Sequence, residues 1–282
     1  MSAGPGLADC HAHVIDLTRY PAAPGVGYTP LPHEQGSAAQ FGDVLAAHGL
    51  ARALLVQPSC YGFDNTAMLD AIEASGGRFA GIAVVPAGMR GSEMQALRRR
   101  GVVGIRLNLG NFDPDLFSRP DTGDLLQRAR DMGWFVQVYA IGRAWAGIAE
   151  RLAASGARIV IDHLGHPDVA DGIDQPGFRA VLALAQETDA VVKLSGAFRV
   201  SPQPAGFRDV DRFARAAIER FGVDRCIWGS DWPFINVGKQ VGYAEQLAML
   251  ERWLPDGAQR AQVLAANPAR LFGFTQEPGG GR

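Results

Sequence analysis

The chain has 282 residues, of which 47% are hydrophobic and 20% are charged, a composition typical of a soluble globular enzyme. The formal net charge of −2 provides no basic surface of the kind that nucleic-acid binding needs, so we expect no nucleic-acid partner. No apolar run reaches the roughly 18 residues of a membrane span, and the 3 cysteines lack metal or redox spacing, so we expect a cytoplasmic protein without membrane contact.

The first informative stretch is a short apolar run that ends in two histidines, His11 and His13. Side chains on a strand repeat every second residue, so both imidazoles are expected on the same side. Two such histidines form half of a metal or oxyanion site. The alternative interpretation is a pair of buried histidines that serve only packing.

A Pro/Gly-rich stretch follows at residues 20–30, and it can be neither a helix nor a central strand. A long loop at the end of a strand is a candidate lid or substrate wall. Tyr28 is its obvious polar contact. The two ends of the chain, residues 1–6 and 276–282, are expected to be flexible.

Apolar runs and amphipathic segments then alternate along the chain. Continuous Val/Ile/Leu runs are typical of strands buried on both faces of a parallel sheet. Together with the first run they predict a (β/α)8 barrel that forms a single domain over residues 1–282, closed by terminal helices after Gly238. The predicted strands are residues 7–13, 53–56, 79–85, 102–107, 134–139, 158–163, 191–194 and 226–230, and the predicted helices are residues 65–75, 92–100, 122–132, 143–154, 177–187 and 210–221.

In such a barrel the carboxyl ends of the strands form the active face, and two further polar residues end apolar runs there. Asp231 follows the last run, and a lone aspartate inside a barrel is costly without a cation, a metal or bound water. His163 ends the sixth run, where the alternative is a core histidine bonded to a carbonyl. These two residues are expected to join His11 and His13.

Two arginines are candidates for binding an anionic substrate. Arg106 lies within an apolar strand, where a guanidinium needs either a substrate carboxylate or a carboxylate of the chain, with Asp9 and Asp162 as the possible partners. Arg199 supports the substrate interpretation. Phosphate-binding loops and a Gly-x-Ser-x-Gly elbow are absent from the sequence, so nucleotide chemistry and serine acyl transfer lack support.

Five motifs together resemble the amidohydrolase superfamily, and within it the branch of 2-pyrone-4,6-dicarboxylate lactonase and related sugar-lactone hydrolases. The resemblance runs from about Leu7 to Phe272. The motifs are Asp9-Cys10-His11-Ala12-His13, Gly104-Ile105-Arg106-Leu107-Asn108, Asp162-His163-Leu164-Gly165, Lys193-Leu194-Ser195-Gly196 and Gly229-Ser230-Asp231-Trp232-Pro233.

The resemblance implies roles for these residues. It implies an amidohydrolase-like barrel in which His11, His13, His163 and Asp231 hold either one divalent metal or the substrate carbonyl directly. It also implies that Tyr28, Arg106, Tyr139 and Arg199 contact the substrate. Zinc is the expected metal if one is bound, and the fifth strand offers no lysine for a binuclear centre.

Two departures from the family pattern concern the substrate. Phe112 and His166 stand where the dicarboxylate enzyme places further arginines, so we expect His166 as a substrate contact and a weaker grip on a second carboxylate. The expected activity is hydrolysis of a lactone that bears at least one carboxylate, with Asp231 activating the water. A lactone isomerase, a metal-dependent decarboxylase and a non-enzymatic carboxylic-acid binder are the alternatives. The sequence predicts no oligomeric state.

Overall fold

A computed structural model describes residues 6–110 and 112–274 of the protein. Of the ends that were predicted to be flexible, residues 1–5 and 276–282 lie outside the described part of the chain. Within the described residues, strands and helices alternate from Ala8 to Trp228, and further helices follow up to Phe272.

Eight parallel strands form one sheet in chain order, each hydrogen-bonded to the next. A parallel bridge between Ala12 and Trp232 joins the end of the last strand to the end of the first. The predicted (β/α)8 barrel is therefore confirmed. The strands are β1 (Ala8–Ala12), β2 (Arg52–Val56), β3 (Phe79–Ala83), β4 (Val102–Asn108), β5 (Phe135–Tyr139), β6 (Arg158–Ile161), β7 (Val191–Leu194) and β8 (Cys226–Trp228).

Helices cover the outside of the barrel, and all six predicted ones are present within a few residues of their expected ends. In the described part of the chain, none of them has the length and apolar character needed to cross a membrane. The helices are α1 (Ala38–Ala47), α2 (Thr66–Ala74), α3 (Gly91–Arg99), α4 (Thr122–Asp131), α5 (Ala144–Ala154), α6 (Pro176–Glu187), α7 (Ala197–Val200), α8 (Asp211–Phe221), α9 (Tyr243–Trp253), α10 (Gly257–Ala261) and α11 (Asn267–Phe272).

Helix α1 is the one barrel helix that the sequence reading did not identify. A capping box begins it: the Ser37 N–H donates to Gln40 Oε1 at 2.8 Å, and the Gln40 N–H donates to Ser37 Oγ at 3.3 Å. Phe41 and Leu45 lie one turn apart and are both buried against the sheet. The Ser-x-x-Gln pattern in the sequence is typical of a helix start. It was not recognised because it follows the long Pro/Gly-rich loop.

The apolar core of the protein consists of two clusters of buried side chains. The larger part fills the space between sheet and helices, with Phe41, Trp145 and Phe213 among its members. The smaller part draws residues from inside the barrel and is closed from below by residues of the chain end such as Phe272. Its members include Phe135, the first residue of β5, and Val56, the last residue of β2. Buried polar residues such as Asn108 and Asp231 lie at the carboxyl end of a strand or beyond it.

Candidate active site

Asp231 lies where the chain leaving β8 closes the barrel on β1. Its backbone N–H donates to the His11 carbonyl at 2.7 Å, and the His13 N–H donates to the Trp232 carbonyl at 2.8 Å. Asp231 lies three residues beyond the end of β8 and has a φ of +64°, a left-handed conformation. Gly229 permits this close approach, because a Cβ there would lie 2.5 Å from the Cβ of His11. The aspartate is thereby fixed beside both histidines of β1.

Three imidazoles converge on the Asp231 carboxylate. Nε2 of His13 lies 3.3 Å from Oδ1, and Nε2 of His11 lies 3.7 Å from the same oxygen. On the other side of the carboxylate, Nε2 of His163 lies 3.5 Å from Oδ2. All four side chains are buried. The structure therefore brings together the four residues for which the sequence predicted a common site.

The opposite ring nitrogens fix the orientation of two of these imidazoles. Nδ1 of His13 lies 2.7 Å from the Val56 carbonyl, which can only accept, so Nδ1 carries a proton and donates it. Nδ1 of His163 is 2.9 Å from Ser195 Oγ. Gly196 lets the His163 ring lie close, since a Cβ there would come within 2.6 Å of it. These partners direct both Nε2 atoms toward the carboxylate, as in many metal-binding histidines.

Arg199 supplies the positive charge that faces Asp231. Its Nε donates to Asp231 Oδ2, and its Nη1 donates to the Ile235 carbonyl at 3.1 Å. Burial alone would raise the pKa of Asp231, but Arg199 and the neighbouring histidines outweigh it and hold this pKa well below its usual range. Burial lowers the pKa of His163 to about 3 and, together with Lys193, also lowers that of His11. The neutral imidazoles of His11 and His163 thus lie beside an ionised carboxylate.

A second cluster of buried polar side chains, formed by Lys193, Gln137 and Asp162, lies behind His11. The sequence assigned no role to Lys193. Nζ of Lys193 donates to Gln137 Oε1 at 2.7 Å, and it lies 3.2 Å from His11 Nδ1 and 3.4 Å from Asp162 Oδ1. Lys193 is completely buried. A lysine inside the otherwise apolar run of β7 was the available signal. It orients the ring nitrogen of His11 that faces away from Asp231.

Arg106 is bonded to a carboxylate of the chain. Its Nε and Nη2 donate to Asp162 Oδ2 at 3.3 and 3.2 Å, which identifies Asp162 as the partner. Asp9, the other partner considered, instead accepts hydrogen bonds from the Ser230 N–H at 3.0 Å and the Tyr243 hydroxyl at 2.9 Å. Burial raises the pKa of Asp9 to about 6. Arg106 nevertheless remains in the wall of the cavity described next.

A cavity of about 180 Å³ opens above the imidazoles. His166 is not among its lining residues, since its ring lies edge-on to Tyr139 at 5.6 Å between centroids. Phe112 is also absent from the lining and contacts Phe63 at 5.3 Å instead. The lining residues include the other predicted substrate contacts, which are Tyr28, Arg106, Tyr139 and Arg199. They also include Ser59 and Asn108, polar residues that the sequence places at the ends of apolar runs, and Ile235 and Asn236, which the sequence did not single out.

The cluster also fits a divalent metal ion. His11 Nε2 and Asp231 Oδ1 are both buried and lack a hydrogen-bond partner. One ligand atom from each of His11, His13 and Asp231 lies within 4.8 Å of the others. Imidazole nitrogens and a carboxylate oxygen are donors that zinc accepts. These three residues could therefore hold a metal, with His163 facing the second carboxylate oxygen.

Known proteins resemble this chain over most of its length. It is 31% identical to 4-sulfomuconolactone hydrolase of Hydrogenophaga intermedia, over 95% of this chain and 89% of that protein. It is 30% identical to 2-pyrone-4,6-dicarboxylate hydrolase of Comamonas testosteroni, over 95% and 90%. A crystal structure of a probable 2-pyrone-4,6-dicarboxylic acid hydrolase from Acinetobacter baumannii superposes with a TM-score of 0.87 at 28% identity, over 95% of this chain and 99% of that one. Residues 8–274 match the family model described as amidohydrolase, and the chain belongs to the amidohydrolase family.

Proposed function

We propose that this protein is a hydrolase that opens the ring of a carboxylate-bearing lactone. The observation that carries the proposal is the convergence of three imidazoles on Asp231 beneath a cavity with two arginines in its wall. The cavity of about 180 Å³ suits a single small ring. The relatives named above as sulfomuconolactone and pyrone hydrolases support a cyclic ester as the substrate.

Asp231 is the proposed general base. Its carboxylate is ionised at neutral pH and can take a proton from a water molecule that attacks the ring carbonyl. The same proton can then pass to the ring oxygen as it leaves, which completes the ring opening. Asp231 therefore performs both proton transfers and returns to its starting state.

The imidazoles are proposed to stabilise the negative charge that develops on the carbonyl oxygen. If Ser195 donates to Nδ1 of His163, the proton of this neutral ring sits on Nε2 and is available to the carbonyl oxygen. A divalent metal held by His11, His13 and Asp231, zinc being the best match to these donors, would supply Lewis-acid polarisation of the same carbonyl. Burial of the cluster strengthens the electrostatic interactions.

The arginines are proposed to bind the substrate carboxylate. Arg199 lines the cavity while it holds Asp231, so a substrate carboxylate that shares its guanidinium weakens that hold. The depressed pKa of Asp231 then rises toward its ordinary value, and the base becomes stronger when substrate is present. Tyr28 and Tyr139 complete the wall, and His166 supports Tyr139 from behind.

Acid release from a panel of lactones tests the proposal. The panel contains lactones with and without a carboxylate, and it is expected to show turnover of the acid lactones. Product NMR separates ring opening from rearrangement to an isomeric lactone, and carbon dioxide release identifies a decarboxylase. Binding without turnover across the panel would identify a carboxylic-acid binder and contradict the proposed hydrolysis.

We also propose a cytoplasmic location for the protein. Its three cysteines, Cys10, Cys60 and Cys226, are all free and buried, as is common for proteins of a reducing compartment. Fractionation of the source cells with an antibody against the protein tests this location.

A further inference from the structure

The carboxylate of Glu34 accepts hydrogen bonds from two loops that form walls of the cavity. Its side chain lies at the end of the short 3₁₀ turn Pro32–Glu34 and is only 6% exposed. Oε2 accepts hydrogen bonds from the Tyr28 hydroxyl and, at 2.8 Å, from the Leu31 N–H, while Oε1 accepts the Asn236 N–H at 2.7 Å. Tyr28 and Asn236 both line the cavity. A buried carboxylate without a part in the proposed reaction thus lies directly behind the cavity wall.

The direction of the hydrogen bond between Tyr28 and Glu34 follows from their charges. Burial alone would raise the pKa of Glu34, but hydrogen bonds from Tyr28, Leu31 and Asn236 outweigh it and lower this pKa. Burial, followed by Glu34 itself, raises the pKa of Tyr28 to about 12. At neutral pH the carboxylate is therefore ionised and can only accept, and the phenol keeps its proton and donates it.

This direction determines what Tyr28 can offer to a ligand. A phenol has a single O–H, so once that proton is given to Glu34 the oxygen retains only lone pairs. The guanidinium groups of Arg106 and Arg199, elsewhere in the lining, carry only donors. The cavity therefore has one wall that suits an anion and one position that suits a hydrogen-bond donor.

We propose that Glu34 is a positioning residue that fixes the Tyr28 hydroxyl as a hydrogen-bond acceptor, so that the cavity selects lactones with a ring hydroxyl at that wall. This inference rests on the proposed lactone hydrolysis and narrows its substrate class. A second carboxylate at the same place would meet the lone pairs of Tyr28 and the nearby charge of Glu34. Such an unpaired anion is unfavourable, because it loses its hydration without gaining a donor.

A matched pair of substrates tests the inference. The hydroxylated members are the diastereomeric 1,4-lactones of the pentaric acids, and the control is 5-oxotetrahydrofuran-2-carboxylate, which has the same ring and carboxylate but neither hydroxyl. The parent protein is expected to prefer the best hydroxylated lactone by about tenfold in kcat/KM, the size of one good hydrogen bond. Tyr28→Phe is expected to reduce that ratio to within about threefold, because kcat/KM for the hydroxylated lactone falls several times more than kcat/KM for the control.

Glu34→Gln reports on the direction of the hydrogen bond. The glutamine amide can donate to the Tyr28 oxygen and free the phenol proton for the cavity. We expect the hydroxyl preference to fall and the relative kcat/KM for 2-pyrone-4,6-dicarboxylate to rise. A residue that only braced the two loops would lower kcat/KM for all three substrates by the same factor, and that result would overturn the inference. If Glu34→Gln fails to fold, as seen in its thermal midpoint, Tyr28→Phe decides alone.

Calorimetric binding of the same lactones separates the two proposals. Turnover of both lactones with equal kcat/KM, and equal losses in Tyr28→Phe, leaves the hydrolase standing and overturns the hydroxyl preference. Binding that keeps the Tyr28-dependent preference without any turnover overturns the hydrolase and leaves the preference standing. Neither binding nor turnover of the two lactones overturns both.

Discussion

At the scale of single residues, Asp231 is the side chain on which the proposed chemistry depends. Asp231→Asn is expected to lower kcat by at least about a hundredfold, the lower range for loss of a general base, because an amide cannot accept the proton from water. The substitution is nearly isosteric, and its remaining oxygen can still accept from Arg199, so the fold should persist. The thermal midpoint should fall, because Arg199 loses its buried counter-charge. Steady-state kinetics with the best lactone of the panel measures the effect.

The exposed Asp43 provides a matched control for this variant, since Asp43→Asn makes the same chemical change far from the cavity. It should leave kcat unchanged. If folded Asp231→Asn retained activity within a few-fold of the parent, another group would have to be the base.

Arg106 binds the buried Asp162, and we propose that it also binds the substrate carboxylate. Arg106→Met keeps the bulk of the side chain but removes the guanidinium group. We therefore expect kcat/KM for an acid lactone to fall by about two orders of magnitude, while kcat/KM for its neutral ester changes little. The fold should persist with a lowered thermal midpoint, because Asp162 keeps Lys193 at 3.4 Å and Gln137 at 3.0 Å. Kinetics on the acid and ester pair, with unfolding curves, measure both effects.

The surface arginine Arg119, which pairs with Asp113 at 2.9 Å, gives the control Arg119→Met. It should affect neither substrate. Equal losses for acid and ester in Arg106→Met would mean that Arg106 serves the fold through Asp162 and not the substrate.

The four-residue cluster can act with or without a metal, and a chelator distinguishes the two cases. We expect dialysis against EDTA to leave most of kcat intact, because Arg199 already places a positive charge against Asp231 and His163 can donate directly. Metal analysis of the protein before and after dialysis, beside kcat, makes the measurement. Stoichiometric zinc whose removal abolishes turnover would instead assign His11, His13, His163 and Asp231 as ligands.

At the scale of elements, the apolar runs predicted the strands well but overestimated where some of them end. The sixth and eighth runs were expected to reach residues 163 and 230, whereas β6 ends at Ile161 and β8 at Trp228. His163 and Asp231 lie just beyond these ends, with φ values of +49° and +64°. A left-handed residue does not follow strand alternation, so the sequence could place these residues at the site but could not predict their directions.

Helix α1, which was not predicted from the sequence, begins with the capping box of Ser37 and Gln40. Ser37→Ala removes one half of the capping box and should lower the free energy of unfolding by about 1 kcal/mol. Urea unfolding followed by circular dichroism measures this change. The exposed Ser92, in the first turn of α3, gives the control Ser92→Ala, for which the change should stay within about 0.5 kcal/mol. Equal effects of the two substitutions would contradict the capping role.

At the scale of the whole molecule, the barrel was predictable because continuous apolar runs and their spacing determine a parallel sheet. The residues at its carboxyl-terminal end were predictable in kind, since polar side chains at the ends of apolar runs were visible in the sequence. Their pairing was not, because the choice of Asp162 over Asp9 as the partner of Arg106 depends on which side chains meet inside the closed barrel, where Arg106 of β4 reaches Asp162 after β6. The role of Glu34 was not predicted, because its hydrogen bond to the Asn236 N–H joins residues that are 202 positions apart.

The buried histidines predict how the stability of the whole fold depends on pH. Burial lowers the pKa of His163 to about 3 and of His166 to about 4, and it also lowers that of His11. In the unfolded chain these groups titrate near about 6.5, so acidification below that value protonates the unfolded state first and destabilises the fold. Asp9 opposes this, because its raised pKa of about 6 adds stability as the pH falls.

Between pH 6 and 4 the three histidines bind up to three more protons in the unfolded state than in the folded state, and Asp9 binds up to one more in the folded state. The unfolded state therefore carries up to two extra protons, and the free energy of unfolding should fall by up to about 3 kcal/mol per pH unit. Urea unfolding at several pH values, with EDTA present, measures the slope. His166→Asn should reduce it by about 1.4 kcal/mol per pH unit. A free energy of unfolding that is constant from pH 7 to 5 would contradict neutral, buried histidines.

The closure of the barrel has a consequence for how the protein becomes active. Asp9 and Ser230 share a hydrogen bond although 221 residues separate them, and Asp231 reaches its place only when the chain after β8 docks on β1. A growing chain that has not yet produced its last strand contains three of the four converging groups and lacks Asp231, the proposed base. We therefore expect every earlier intermediate to be inactive, so that turnover appears only when the segment after β8 has docked on β1.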